Sequence, residues 1–162
     1  MTIDENKELA LSWLEALVKG NPEVAVGLLH EDFQYFLPGT LPASGWWDQA
    51  GFLGSAQMFA GKLAGPITMR IGAVTAEGDR VWIEAESDAP LVDGGRYMNT
   101  YVMAVGVRDG KIVELKEFSD TLHVYEVIDA PETRGPRKAR QSPLRIVTKT
   151  IEGSSVGAAL ET

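Results

Sequence analysis

The chain has 162 residues, of which 44% are hydrophobic and 23% charged, with a formal net charge of −8 and no cysteine. That length supports one domain with a real core, and the acidic balance argues against non-specific binding to DNA or RNA, which needs a basic field. Without cysteine there is neither a disulfide framework nor a thiolate metal site.

The N-terminus shows no basic region followed by an apolar run, so no signal peptide is expected. No apolar segment approaches the ~20 residues needed to span a membrane. A cytoplasmic protein without a membrane or nucleic-acid partner is the expectation.

In chain order, the first predicted element is a helix. Thr2 and Glu5 have capping-box spacing, Leu9, Trp13 and Leu17 recur every four residues, and Gly20 ends the run. A second helix follows, with Asn21 as cap, Pro22 in the first position, and Val24, Leu28 and Leu29 as its apolar stripe. His30 is expected at the end of this helix as a surface cap. Residues 33–37 read as a short strand stopped by Pro38-Gly39, and residues 37–47 as a Pro- and Gly-rich loop ending in Trp46-Trp47. These tryptophans either cover a pocket mouth or pack against helices. Residues 48–63 read as a third helix.

The period then changes from helical to alternating. Residues 67–75, 80–89, 96–107 and 111–119 read as four strands, joined at Gly78-Asp79, by a longer loop, and at Asp109-Gly110. Asp-Gly between alternating runs is a strong hairpin signal. Residues 122–128 suggest a closing helical turn. Helices first and strands after indicate an α+β layer fold. Residues 1–128 form the expected domain, and residues 129–162 an extension. Its basic stretch 131–143 reads as a linker, its segment 144–151 as a strand, and its end as a mobile tail. Arg145 to Thr150 are expected to pair with a sheet edge, in this chain or a partner, or else to stay disordered.

The last two strands carry the chemistry. In residues 111–119, Leu115, Glu117 and Ser119 share one face, whereas Glu114 and Lys116 share the other with Asp120 beyond. The second face is charged and expects water, so Glu117 is expected to point inward. An inward carboxylate is costly unless paired, protonated or used. In the preceding strand Tyr97, Asn99, Tyr101 and Met103 share a face.

The order of elements resembles the nuclear transport factor 2-like superfamily, also called SnoaL-like or ketosteroid-isomerase-like. The resemblance spans roughly residues 5–128 and rests most on GNPEVAVGLLHEDFQYFLPG (residues 20–39) and DGKIVELKEFSD (residues 109–120). It implies a cone-shaped, curved antiparallel sheet wrapped around a central pocket and N-terminal helices. It also implies a homodimer through the outer sheet face, where Thr100, Val102, Ala104 and Gly106 are small and mostly apolar.

The resemblance does not extend to every chemistry of the fold. Trp13, Leu37 and Met103 fall where ketosteroid isomerases keep a tyrosine and two aspartates, so that mechanism is excluded. Limonene epoxide hydrolases need an Arg-x-Asp pair, and Ala85 and Ser87 stand there instead. SnoaL-type polyketide cyclases place an aspartate acid/base at the position of Glu117, and phenazine-biosynthesis A/B proteins place a glutamate in a context close to Lys116-Glu117-Phe118-Ser119-Asp120. Glu117 is therefore the catalytic candidate. Trp13, Tyr97, Asn99, Tyr101, Met103, Leu115 and Ser119 are the candidates for holding a small, largely apolar ligand, with no cofactor and no metal. In the competing reading the protein is a non-catalytic binding or assembly module, Glu117 is structural, and Asn99 and Tyr101 belong to a buried network that fixes the sheet. His123 stands where it can reach the pocket rim.

Overall fold

A computed structural model describes residues 1–130 and 142–154. Helix α1 spans Ile3–Val18. Thr2 Oγ1 accepts from Glu5 N at 3.2 Å while Thr2 N donates to Glu5 Oε2 at 2.6 Å, so the capping box satisfies two otherwise orphaned N–H groups. Ala10, Trp13 and Leu14 are the helix's most deeply buried residues. Helix α2 spans Pro22–Gly27, capped by Asn21 as its spacing predicts.

Strand β1 spans Leu29–Leu37, longer than residues 33–37 alone, and it contains His30. The histidine therefore sits in a strand rather than at a helix end. Its Nδ1 accepts from Asp32 N, and Arg108 lies beside it. Strand β2, Gly45–Asp48, replaces the expected end of the loop and pairs antiparallel with β1. Helix α3, Gln49–Ala60, is capped by Asp48, whose Oδ1 accepts from Gly51 N at 2.8 Å.

The four central strands are β3 (Thr68–Glu77), β4 (Arg80–Pro90), β5 (Arg96–Arg108) and β6 (Lys111–Ser119). At the β5–β6 turn, Asp109 and Gly110 both have positive φ, at 52° and 74°. Two successive left-handed residues are the signature of the tight hairpin that Asp-Gly favours. Helix α4, Thr121–Ile128, follows β6 and is capped by Asp120.

The described strands form one sheet in the order β2-β1-β6-β5-β4-β3-β7. It is curved, open and mixed: β1 runs parallel to β6, and every other neighbouring pair is antiparallel. Helices α1 and α3 pack on its inner face, where Phe33, Ile71, Ile83, Ile112 and Leu115 make the core with Trp13. This is the α+β architecture of the nuclear transport factor 2-like fold.

Strand β7, Lys149–Glu152, pairs antiparallel with β3 of the same chain. Pairing thus begins about four residues later than expected. Ile146 and Val147 stay exposed while Ile151 is buried. Lys149 also bonds Glu15 of α1, which fastens the helix to this sheet edge. Upstream, Leu144 lies on β3 where Gly72 leaves room, since a Cβ there would come within 2.7 Å of it. The greater part of the expected linker and tail, residues 131–141 and 155–162, lies outside the described residues.

Candidate functional site

The β5–β6 register places Met103 opposite Glu117 and Tyr101 opposite Ser119. Met103, Tyr101 and Leu115 are all buried on the inner face. Alternation along β6 therefore puts Glu117 on that face too, as expected. Trp13 reaches the same core from α1.

Glu117 makes no hydrogen bond or ion pair among the described residues. Its side chain keeps partial accessibility. Burial nevertheless dominates, and it lifts the carboxyl from its ordinary 4.5 to about 7. Both protonation states are then populated near neutral pH, the condition under which one group serves as acid and as base.

The tyrosines around it differ in their commitments. Tyr101 Oη and Ser87 Oγ lie 3.0 Å apart, and Tyr101 Oη donates to Tyr97 Oη at 3.0 Å. Asn99 Nδ2 donates to the same Tyr97 oxygen at 2.9 Å. Asn99 Oδ1 accepts from Thr100 N and from Asp120 N, at 2.8 and 3.0 Å. Asn99 is fully buried, and its bonds tie β5 to the start of α4. This is a buried network of the kind that fixes a sheet. Burial first, then the charges of Tyr97 and Glu117, holds the Tyr101 phenol well above its usual range.

His123 belongs to the same end of the sheet. Its ring stacks on Tyr97 at 5.2 Å, and its Nε2 accepts from Met98 N at 3.1 Å, which leaves the other nitrogen to carry the proton of the neutral ring. Trp47 packs inward with its indole N–H on Ala43 O, whereas Trp46 stands on the outer face against Phe36 and beneath the Lys116 ammonium. The register sets Trp47 opposite Tyr35 on the inner face and Trp46 opposite Phe36 on the outer one, so the two tryptophans do not act as a pair.

Tyr35 was not among the expected site residues. It is buried on β1, opposite Leu115 of β6, and so shares the inner face with Glu117. Its ring packs on Phe52 at 5.0 Å, and Phe52 in turn meets Trp13 at 6.1 Å. The signal was present in the alternation of Phe33, Tyr35 and Leu37. On this inner face, Trp13 Nε1 and Ser119 Oγ are buried and have no hydrogen-bond partner among the described residues.

Two recesses open elsewhere. One, of about 230 Å³, is bordered by Arg70, Glu86 and Met98, and another, of about 270 Å³, by Met1, Asn6 and Arg108. Glu117 lines neither. Among the described residues no group of three His, Asp or Glu side chains is gathered to hold a metal, and no helix is long and apolar enough to cross a membrane.

Solved structures share this architecture. An NTF2-like protein from Burkholderia xenovorans matches with a TM-score of 0.64 at 20% identity, over 80% of this chain and 99% of its own. A protein from Jannaschia, named as a SnoaL-like polyketide cyclase, matches at 0.65 and 19% identity, over 81% and 96%. IdmH from Streptomyces antibioticus, also named as a polyketide cyclase, matches at 0.63 and 23% identity, over 73% and 94%. At such identities the likeness shows the fold alone. No curated protein matches the chain. The family model of the SnoaL-like domain matches residues 10–115, more than half of the sequence. With the mixed sheet, the inward α1 and the β5–β6 hairpin in place, the chain belongs to the SnoaL-like domain family, within the nuclear transport factor 2-like superfamily.

Proposed function

We propose that the protein binds a small, largely apolar organic molecule against the inner face of its sheet and moves protons on it without a cofactor. The reaction class is cyclisation, isomerisation or dehydration. One observation carries this reading: Glu117 is an inward carboxylate without a partner, poised near neutrality by burial. Ionised, it takes a proton from a carbon made acidic by a neighbouring carbonyl. Protonated, it returns that proton to the rearranged product, so the enzyme ends as it began. Trp13, Tyr97, Tyr101, Met103, Leu115 and Ser119 supply the surrounding wall, and Asn99 holds Tyr97 in place. The names of the Jannaschia protein and IdmH agree with this class of chemistry.

The test begins with a thermal-shift screen of aromatic and polyketide-like ketones. With a turned-over compound in hand, Glu117→Gln is expected to lower kcat by about 10²–10⁴-fold, the usual worth of a general acid–base. The amide keeps the shape and loses the proton. Full turnover in that variant ends the proposal.

A second reading has support of its own. Asn99, Tyr97, Tyr101 and Ser87 are bonded to one another, and Glu117 lines neither of the two recesses described. In that reading the fold binds without catalysing. A ligand that binds Glu117→Gln and wild type equally, with no turnover by either, decides for it.

A homodimer through the outer sheet face is part of the proposal. Trp82, Ala104, Lys116, Phe36 and Trp46 lie in one register row across five strands, next to Val102 and Phe118. Trp82, Val102, Phe118 and Trp46 are exposed in the single chain. The exposed apolar side chains of this face, interrupted by Lys116, suit a flat, self-complementary partner. Light scattering at tens of micromolar is expected to give twice the chain mass, and Val102→Arg is expected to halve it. A monomeric wild type contradicts the dimer.

A further inference from the structure

Two tight turns of the central strands meet at one end of the sheet. Val107 N donates to Asp79 O at 2.8 Å, and Arg80 stands opposite Gly106, so the Gly78-Asp79 turn lies beside the Asp109-Gly110 turn. The backbone is left-handed at Gly78, Asp109 and Gly110, with φ of 58°, 52° and 74°, which is why Gly and Asp stand there. Turn chemistry has thereby set two carboxylates, Asp79 and Asp109, on the border of the recess of about 270 Å³. Met1 and Val107 add apolar surface, and Asn6 joins the border from α1. Asn6 is only 3% exposed, and its Nδ2 donates to Gly78 O at 2.9 Å. That carbonyl can only accept, which fixes the nitrogen end of the amide. The oxygen end, Oδ1, is buried and has no hydrogen-bond partner among the described residues. We propose that this recess is a binding site for a small organic ammonium ion, which donates to Asn6 Oδ1 between the Asp79 and Asp109 carboxylates.

The ligand class follows by elimination. A buried acceptor without a donor is costly. A hydrocarbon leaves Oδ1 as it is. An anion brings no donor and meets two carboxylates. A bare divalent cation wants roughly six to eight oxygens, and among the described residues no three Asp, Glu or His side chains are gathered to hold one. The space also exceeds a single ion and suits a short carbon frame against Met1 and Val107. An ammonium group supplies both the donor and the opposite charge. The positive groups nearby are engaged elsewhere: Arg108 pairs with Asp32, and the Met1 α-ammonium interacts with the Glu5 charge. Asp79 has no ion pair among the described residues, and Asp109 has only His30 Nε2, at 3.9 Å. Glu117 does not line this recess, so the site is independent of the acid–base reading.

The test compares three probes of similar bulk. n-Butylammonium has charge and N–H donors, tetramethylammonium has charge alone, and n-butanol has a donor without charge. Each is titrated into the full chain at constant ionic strength, because a chain of net charge −8 attracts any cation weakly. Binding is read by nitrogen-15 NMR at the Asn6 side-chain amide and at the backbone N–H groups of Gly78 and Gly110. Wild type is expected to bind n-butylammonium saturably and at least about tenfold more tightly than either other probe, as a site built for a hydrogen bond does. This comparison does not depend on any variant folding. Asp79→Asn with Asp109→Asn removes both charges at exposed positions and keeps the turns, since Asn also adopts the left-handed conformation. The doubly substituted protein is expected to lose about 3–10-fold in affinity for n-butylammonium and to bind n-butanol as before. Equal binding of the two cations is what an acidic surface alone gives, and it overturns the proposal. So does the absence of a saturable shift at these signals, or an undiminished affinity in the doubly substituted protein.

Discussion

Glu117→Gln should flatten the pH dependence of stability between pH 5 and pH 8. In wild type the folded carboxyl titrates near 7, above the 4.5 of the unfolded chain. Between those values the folded protein holds a proton that the unfolded chain has released. Stability therefore falls as pH rises through that window. The penalty is complete above pH 7 and is on the order of 3 kcal/mol at most, reduced by whatever water reaches the side chain. Gln has no charge to bury. Urea unfolding at pH 5 and pH 8 is expected to show the variant gaining about 2–3 kcal/mol on wild type between the two conditions. Glu15 does not interfere. Its hydrogen bonds to Lys149 and Lys19 lower its carboxyl to about 2, so its own contribution is lost only as pH falls toward that value. Parallel curves for the two proteins contradict a raised Glu117.

The second large effect belongs to Asn99. Asn99→Leu keeps the branched side chain of four heavy atoms and removes all four hydrogen-bonding sites. Thr100 N and Asp120 N lose their acceptor, and Tyr97 and Asp120 O lose a donor. A group that loses its partner costs about 1–3 kcal/mol when buried; with four bonds lost, three of them only part-buried, a total near the low end, roughly 4 kcal/mol, is expected. In a chain of this size that corresponds to a fall in Tm of roughly 10 °C or more. A variant that melts within about 2 °C of wild type assigns Asn99 to ligand binding alone, because a residue there for the ligand does not hold β5 to α4.

These two residues show where the sequence speaks plainly. Glu117 and Asn99 lie on strands of nine and thirteen residues joined by Asp-Gly, so alternation settles their faces and the turn settles their register. The caps of α1, α2 and α4 are equally local: a side-chain oxygen meets an N–H three residues on. What a local pattern does not carry is pairing between distant segments. The parallel neighbour of β6 is β1, more than seventy residues earlier, and no turn marks it. Without that pairing Tyr35 cannot be placed beside Leu115, although Phe33, Tyr35 and Leu37 already alternate. β2 is four residues long, too short to show a period, and its two tryptophans read as loop. In the extension, Ile146 and Val147 have the strongest strand character, yet the paired residues follow them. The edge of β3 selects the register that buries Ile151 and brings Lys149 to Glu15.

The most direct measurement is the titration of the Glu117 side-chain carboxyl by carbon-13 NMR, assigned by comparison with Glu117→Gln. An unpaired inward carboxylate fit for proton transfer at neutral pH gives a midpoint near 7. A midpoint near 4.5 contradicts it, since a carboxyl with its ordinary pKa is solvated or paired and carries no poised proton.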